Sequence, residues 1–422
     1  MPFTSSTSEP AIFLDPQTTP TKKAIAITKK FIADRRLVCY GGTALDYAAR
    51  LQGGRIYDDE KLALPDLDFY SADPLKDARD LADILYLDGY EEARVINALH
   101  VGTFRVDCGG NHFIADVSYF PIIESLKVVT YEGFRVVHPD YQRLDTHSSL
   151  SFIYDNPPRE VAFARVSKDI ERFNIINALY PLPTPSSPST SKTSPSTSSV
   201  VVQSPSVVLS KDYVYAGLTA YKLHSPSSPI SSDIIEIVSH SPRELIADMG
   251  MEVIAGYDQL VNIFPIMFFT KTSDGQRFII YDTTHRLLSI NTKEHVRFAC
   301  TNYTLRCLLA WHLVFSSGSD KMMDIVKSYP YHPDPTICLT AYHDLLPRAT
   351  LSEKYYGDEN IDHAAVIKAA EYDKILGKTS DMSDYYLPPT YRPSKNRDVK
   401  NDKDDRGVYV KNVFFHITGK KR

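Results

Sequence analysis

The chain has 422 residues, 43% apolar and 23% charged, with a net charge of −5. That length predicts two or three domains, and that apolar content is enough for a packed core, which excludes wholesale disorder. No run approaches the roughly 18 uncharged apolar residues of a membrane span, so no membrane partner is expected. The N-terminal MPFTSSTSEP lacks a basic stretch followed by an apolar one, so no secretory signal is expected. Cys39, Cys108, Cys300, Cys307 and Cys338 are scattered and form no CxxC pair, which argues against a zinc site or a disulfide framework.

Taken in chain order, residues 1–20 are rich in Ser, Thr and Pro and read as a flexible N-terminus. Residues 21–36 have helical spacing, with Ala24, Ile27, Thr28 and Phe31 on one side. A short apolar strand follows at 37–40. Gly41-Gly42-Thr43 then opens the helical run ALDYAARLQ, and PDLDFY reads as a strand. Asp73-Pro74 is a helix start, with Asp as N-cap and Pro in the first turn. Leu75, Ala78, Leu81, Ala82 and Leu85 continue it as an apolar stripe. Residues 103–107 and 112–118 alternate as two strands around Cys108-Gly109-Gly110-Asn111, a hairpin signal. Helix, strand, helix, strand, helix, hairpin is a mixed α/β (α+β) pattern.

Three features of this segment carry chemistry. Two glycines between a strand and a helix let the backbone approach a bulky anion, and the helix N-terminus offers free N–H groups to a phosphate. Taken alone, the same dipeptide more readily describes a tight strand-to-helix turn. Asp66 and Asp68 lie two apart on a strand, so both carboxylates face one way while Leu67 and Phe69 face the other. Paired carboxylates repel unless a cation lies between them, and hard oxygen ligands suit Mg²⁺ or Mn²⁺. Asp116 stands mid-strand, where Asp is disfavoured; a metal gives it a reason to be there.

In that order, GG-T, then DxD, then a later strand Asp resembles the nucleotidyltransferase superfamily. The wording YGGTALDYAA, LPDLDFYSADP, FIADVSYFP and EGFRVVHPDYQRLDTHSSLS is similar to the poly(A) polymerase catalytic subunits of nucleocytoplasmic large DNA viruses, the poxvirus, asfarvirus and giant-virus type. The likeness is strongest over about 37–180. It implies a DNA polymerase β-like fold and a template-independent transfer of AMP from ATP to an RNA 3′ end by two-metal catalysis. By that resemblance Gly41, Gly42 and Thr43 hold the ATP phosphates. Asp66 and Asp68 bind both metals, and Asp116 binds the catalytic metal and helps deprotonate the RNA 3′-OH. The resemblance also implies a cytoplasmic viral factory as the place of action, with the virion as a second location. It implies either a homodimer or a separate processivity partner. An acceptor that is a small molecule or a protein, and a non-catalytic RNA-binding or scaffold role, stay open as alternatives.

Arg165, Lys168 and Arg172 share a helix face by their spacing. Lys168 and Arg172 are candidates to contact the triphosphate or RNA, and a solvated basic face is the alternative.

Residues 181–210, PLPTPSSPSTSKTSPSTSSVVVQSPSVVLS, read as a linker. They separate a catalytic domain at 21–180 from a second domain at 211–356 that echoes it. Val214 to Tyr221 loosely resembles Cys39 to Asp46, with Ala216 in place of the first glycine. Glu236-Ile237-Val238-Ser239-His240-Ser241-Pro242 lines up with Asp68 to Pro74, which sets Ile234 where Asp66 stands. Residues 278–284 line up with 112–118, which sets Asp282 opposite Asp116. This copy, degenerate at its acids, is expected not to catalyse, and the apolar run 301–315 extends it as a buried helix around Trp311. Residues 357–422 form a C-terminal segment with a basic tail. Its last part, 390–422, holds ten Lys/Arg against four Asp, a net +6 that leaves −11 on the rest. A tail of that sign can hold a polyanion.

Overall fold

The computed structural model describes residues 19–59, 66–98, 102–108, 113–152, 159–184, 213–260, 262–283, 288, 290–293, 295–349 and 391–393. They fall into two compact units, Met1–His138 with Ser383–Arg422, and Pro139–Met382. The expected linker (beyond residue 184), most of the N-terminal segment and nearly all of the C-terminal segment lie outside the described residues.

The first unit opens with helix α1 (Thr19–Asp34), whose Ala24, Ile25, Thr28, Phe31 and Ile32 are buried at helical spacing. Strand β1 (Val38–Cys39), helix α2 (Gly41–Leu51), strand β2 (Leu67–Ser71) and helix α3 (Pro74–Leu87) follow as the sequence predicts. The Asp73 side chain accepts from the Lys76 N–H at 3.2 Å and caps α3. The hairpin is β4 (Thr103–Asp107) and β5 (Phe113–Tyr119). Three strands are additional to those read from the sequence: β3 (Arg94–Asn97), β6 (Val128–Tyr131) and β7 (Phe134–Val137). Together they form one seven-stranded sheet in the order β3-β4-β5-β2-β1-β7-β6. Strand β2 runs parallel to β5, and β1 runs antiparallel to β2 and parallel to β7. Leu67, Phe69, Ala115 and Val117 are buried in the core between this sheet and α1 and α3. Tyr391 closes the outer edge: its backbone exchanges two hydrogen bonds with Val95 on β3, at 2.9 and 3.0 Å.

The second unit begins with α4 (Pro139–Ser151) and α5 (Arg159–Leu179). These helices pack with the second unit, whereas the sequence reading placed them with the first. A buried polar clasp ties α4 to later helices of this unit. His147 Nδ1 lies 3.0 Å from Asn302 Oδ1, and His147 Nε2 lies 2.9 Å from the Tyr342 hydroxyl. The unit continues with β8 (Tyr213–Tyr215), α6 (Gly217–His224), β9 (Ile234–Ser239), α7 (Pro242–Asp248), β10 (Glu252–Tyr257), β11 (Met267–Lys271) and β12 (Arg277–Asp282). It ends with β13 (Ile290–Lys293), β14 (Val296–Ala299), α8 (Thr301–Ser316), α9 (Asp320–Lys327) and α10 (Pro335–Leu345). Its sheet runs β10-β11-β12-β9-β8-β14-β13. Each strand of the first sheet has a counterpart seven places later in the chain, with the same neighbours and the same pairing senses. The internal repeat is therefore a complete duplication of the sheet.

Backbone hydrogen bonds set the register of that duplication, and they correct two of the sequence alignments. Tyr40 N–H donates to Asp68 O, and Ala216 N–H donates to Glu236 O. Gly217 therefore stands where Gly41 stands, and Leu218, not Ala216, marks the lost glycine. Across the parallel pairs, Asp68 faces Asp116 while Glu236 faces Ile279. The counterpart of Asp116 is Ile279; Asp282 lies three residues further on. No helix among the described residues is long and apolar enough to cross a membrane.

Candidate active site

The first sheet brings its acids together by register. Asp68 and Asp116 are direct partners across β2 and β5. Asp66 lies just before β2, two residues back and on the same face. One carboxylate oxygen from each of Asp66, Asp68 and Asp116 lies within 4.8 Å of the others. Asp66 is exposed, and the other two are half-buried. Among the described residues no other group of three or more His, Cys, Asp or Glu meets that condition. Three hard oxygen donors converging from two neighbouring strands fit Mg²⁺ or Mn²⁺.

The turn between β1 and α2 sets the other wall. Gly41 has φ +74°, and a Cβ there would overlap the Asp68 carboxyl. Glycine is required at this position both for the left-handed conformation and for the close approach. Tyr40, at the N-cap of α2, makes no side-chain capping bond. The first-turn N–H groups of Gly41, Gly42 and Thr43 thus have no side-chain cap from that position. Thr43 Oγ1 donates to the Asp66 backbone carbonyl at 3.2 Å, tying the helix start to the beginning of the acid strand. Further along α2 the Asp46 carboxylate is fully buried. It accepts from Arg50 Nε at 2.6 Å and from the Ile56 and Tyr57 N–H groups at 2.7 Å, which anchors the loop after the helix.

Arg105 was not among the residues singled out in the sequence. It lies opposite Asp116 on β4 and donates from Nε to Oδ1 at 2.7 Å and from Nη2 to Oδ2 at 2.6 Å. A register shift between Val106 and Asp107 decides which residue faces Asp116, and counting from the turn cannot find it. Lys168 and Arg172 lie on α5 in the second unit, so the first unit's geometry does not include them. Lys168 is exposed, and Arg172 Nη1 lies 3.8 Å from Asp169 Oδ1.

The equivalent place in the second unit is filled. Ile234 and Ile279 are buried where Asp66 and Asp116 stand in the first unit. Glu236 is fully buried there. Its carboxylate accepts from Leu218 N–H at 2.7 Å, Tyr281 OH at 2.6 Å and Trp311 Nε1 at 3.2 Å. Burial raises the pKa of Glu236 against the opposing pull of these donors. Gly217 keeps the strained turn at φ +50°, and a Cβ there would overlap the Glu236 carboxyl. The turn and one acid persist, with an aromatic plug in place of a cleft. Tyr329 and Tyr331 are also core residues of this unit.

A mixed sheet with a strand–glycine–helix turn and three carboxylates on adjacent strands defines a nucleotidyltransferase-type catalytic domain. The family model for the poly(A) polymerase catalytic subunit matches residues 26–156. A protein assigned as a poly(A) polymerase catalytic subunit in African swine fever virus (isolate Pig/Kenya/KEN-50/1950) is 30% identical over 458 aligned positions, covering 94% of this chain and 92% of that one. Its counterpart in Acanthamoeba polyphaga mimivirus is 26% identical, over 52% of this chain and 38% of that one. The crystal structure of the Megavirus polyadenylate synthase shares the fold at a TM-score of 0.64 and 16% identity, over 94% of this chain and 84% of that one. This chain belongs to the poly(A) polymerase catalytic subunit family.

Proposed function

We infer that this chain polymerises AMP from ATP onto RNA 3′ ends. The convergence of Asp66, Asp68 and Asp116 beside the Gly41 turn carries the reading. In the reaction the 3′ oxygen attacks the α-phosphorus of ATP, its proton passes to water, and the bond to the departing pyrophosphate breaks. Asp66, Asp68 and Asp116 are the residues to hold Mg²⁺ or Mn²⁺. When bound, such ions acidify the attacking hydroxyl and neutralise charge on the phosphates. The N–H groups at the start of α2 receive phosphate oxygens, helped by the positive end of the helix dipole. Thr43 keeps that cradle and Asp66 in fixed relation. We assign Asp116 as a metal ligand whose plane is set by the two bonds from Arg105. The basic face of α5, with Lys168 and Arg172, is proposed as a further anion contact. A cytoplasmic viral factory, with the virion as second location, is the setting we propose from the family resemblance. A processivity partner is supported by the family's description as a catalytic subunit; a homodimer is a proposal from resemblance, tested by solution mass.

Primer extension tests the function. Labelled short RNA is incubated with each NTP separately and Mg²⁺ or Mn²⁺, beside Asp66→Ala/Asp68→Ala. The expected result is an ATP-dependent ladder that falls by about a thousandfold or more in the double variant. Equal extension by the variant would sink the assignment, and AMP appearing on protein rather than RNA would redirect the acceptor.

A further inference from the structure

Arg105 is a fixed positive charge inside a cluster built for cations. It faces Asp116 directly across the antiparallel pair of β4 and β5. Its fork meets both Asp116 oxygens, at 2.7 and 2.6 Å, so the carboxylate is held in one plane and cannot rotate without breaking two charge-assisted bonds. The guanidinium lies 4.4 Å from the centre of the Phe113 ring, which seats the fork from the side. Asp66 and Asp68 also act electrostatically on Arg105. With one arginine against three carboxylates, the cluster carries −2 instead of −3 when all are ionised.

We propose that Arg105 is a positioning residue with two separable effects. Its fork aims Asp116 at the point where the other two acids converge, and its charge holds down the affinity of the nucleotide-free cluster for a divalent cation. The first effect needs planar bidentate geometry, which only arginine supplies. The second needs only a positive charge. A carboxylate has about four acceptor positions, so the arginine and a metal can share Asp116. The inference rests on the reading of the triad as a metal centre.

The two effects predict different behaviour for Arg105→Gln and Arg105→Lys. Mn²⁺ affinity is measured without nucleotide by electron paramagnetic resonance, and kcat and KM for ATP by primer extension. Even at the dielectric of water, removing a unit charge several ångströms from a divalent ion changes its affinity by about tenfold. Both variants lose the fork and differ in charge, so Arg105→Gln should bind Mn²⁺ about tenfold more tightly than Arg105→Lys. In both, kcat should fall by about tenfold or more while KM for ATP changes little. Equal or weaker Mn²⁺ binding in Arg105→Gln than in Arg105→Lys overturns the charge effect. Full recovery of kcat in Arg105→Lys overturns the positioning effect. A parent protein with no Mn²⁺ binding that depends on Asp68 overturns the metal reading itself, and this inference with it. Thermal midpoints of both variants guard against misfolding; an Mn²⁺ affinity that shifts while the midpoint holds cannot come from loss of fold.

Discussion

A single methyl group at Gly41 would meet the Asp68 carboxyl while forcing an L-residue to φ +74°. The strain costs of order 1–3 kcal/mol, and any relief must move the acid. Gly41→Ala should therefore lose activity by about a hundredfold, since small misplacements in a catalytic constellation have that effect. Gly217→Ala makes the same clash with Glu236 and carries the same strain. It should lower the unfolding free energy measured in urea by about 1–3 kcal/mol while primer extension per folded molecule stays at the parental level. Equal activity losses in the two variants would contradict the division of labour between the copies. The glycines and the acids Asp66, Asp68 and Asp116 are legible in the sequence because each breaks a local preference: two glycines at a helix start, aspartates within strands. Arg105 obeys its local pattern, and only the bulge in β4 reveals what it faces.

At the scale of elements, the clasp that joins α4 to α8 and α10 titrates. His147 is fully buried, with its ring nitrogens engaged by Asn302 and Tyr342, and burial lowers its pKa to about 4. The folded pKa lies below the unfolded value of about 6.5. The clasp therefore contributes fully above pH 6.5 and is lost as pH falls through 4. Linkage gives a loss of about 2 kcal/mol between pH 7 and pH 5. His147→Gln should be less stable at pH 7 but show a flatter urea-midpoint profile over that range; an equally steep profile would assign the acid sensitivity elsewhere. The helices and strands were legible from apolar periodicity and caps, as in α1 and α3. Their division between units was not, because the Pro/Ser/Thr-rich stretch marks a change of composition, whereas the boundary at His138 is set by which core α4 enters. The register of the repeat was misread for a related reason. Strand β12 carries an apolar run, Phe278 to Tyr281, that ends at Asp282, so the one acid drew the alignment where ladder hydrogen bonds place Ile279.

For the whole chain, the duplication predicts one metal centre where the topology offers two. The second copy has exchanged two acids for buried isoleucines and has sealed the third behind Tyr281 and Trp311. Its remaining carboxyl, Glu236, has its pKa raised, with burial the largest cause. A folded pKa above the unfolded one gives stability that is complete below the unfolded value and is lost as pH rises through the folded value. Glu236→Gln keeps the shape and removes that titration. Relative to the parent, it should gain stability as pH rises and lose that advantage near pH 4. Its Mn²⁺ binding and primer extension should equal the parent's. Asp66→Ala/Asp68→Ala should show the reverse pattern, with specific Mn²⁺ binding abolished and the unfolding free energy changed by less than about 1 kcal/mol, as is usual for substitutions away from the packed core. Measuring Mn²⁺ stoichiometry in both variants distinguishes the copies without an RNA assay. Saturable Mn²⁺ binding that survives in Asp66→Ala/Asp68→Ala and disappears in Glu236→Gln would place a working cation site in the second sheet. The plug formed by Tyr281 and Trp311 would then have to open, contrary to the burial and hydrogen bonds that hold it closed.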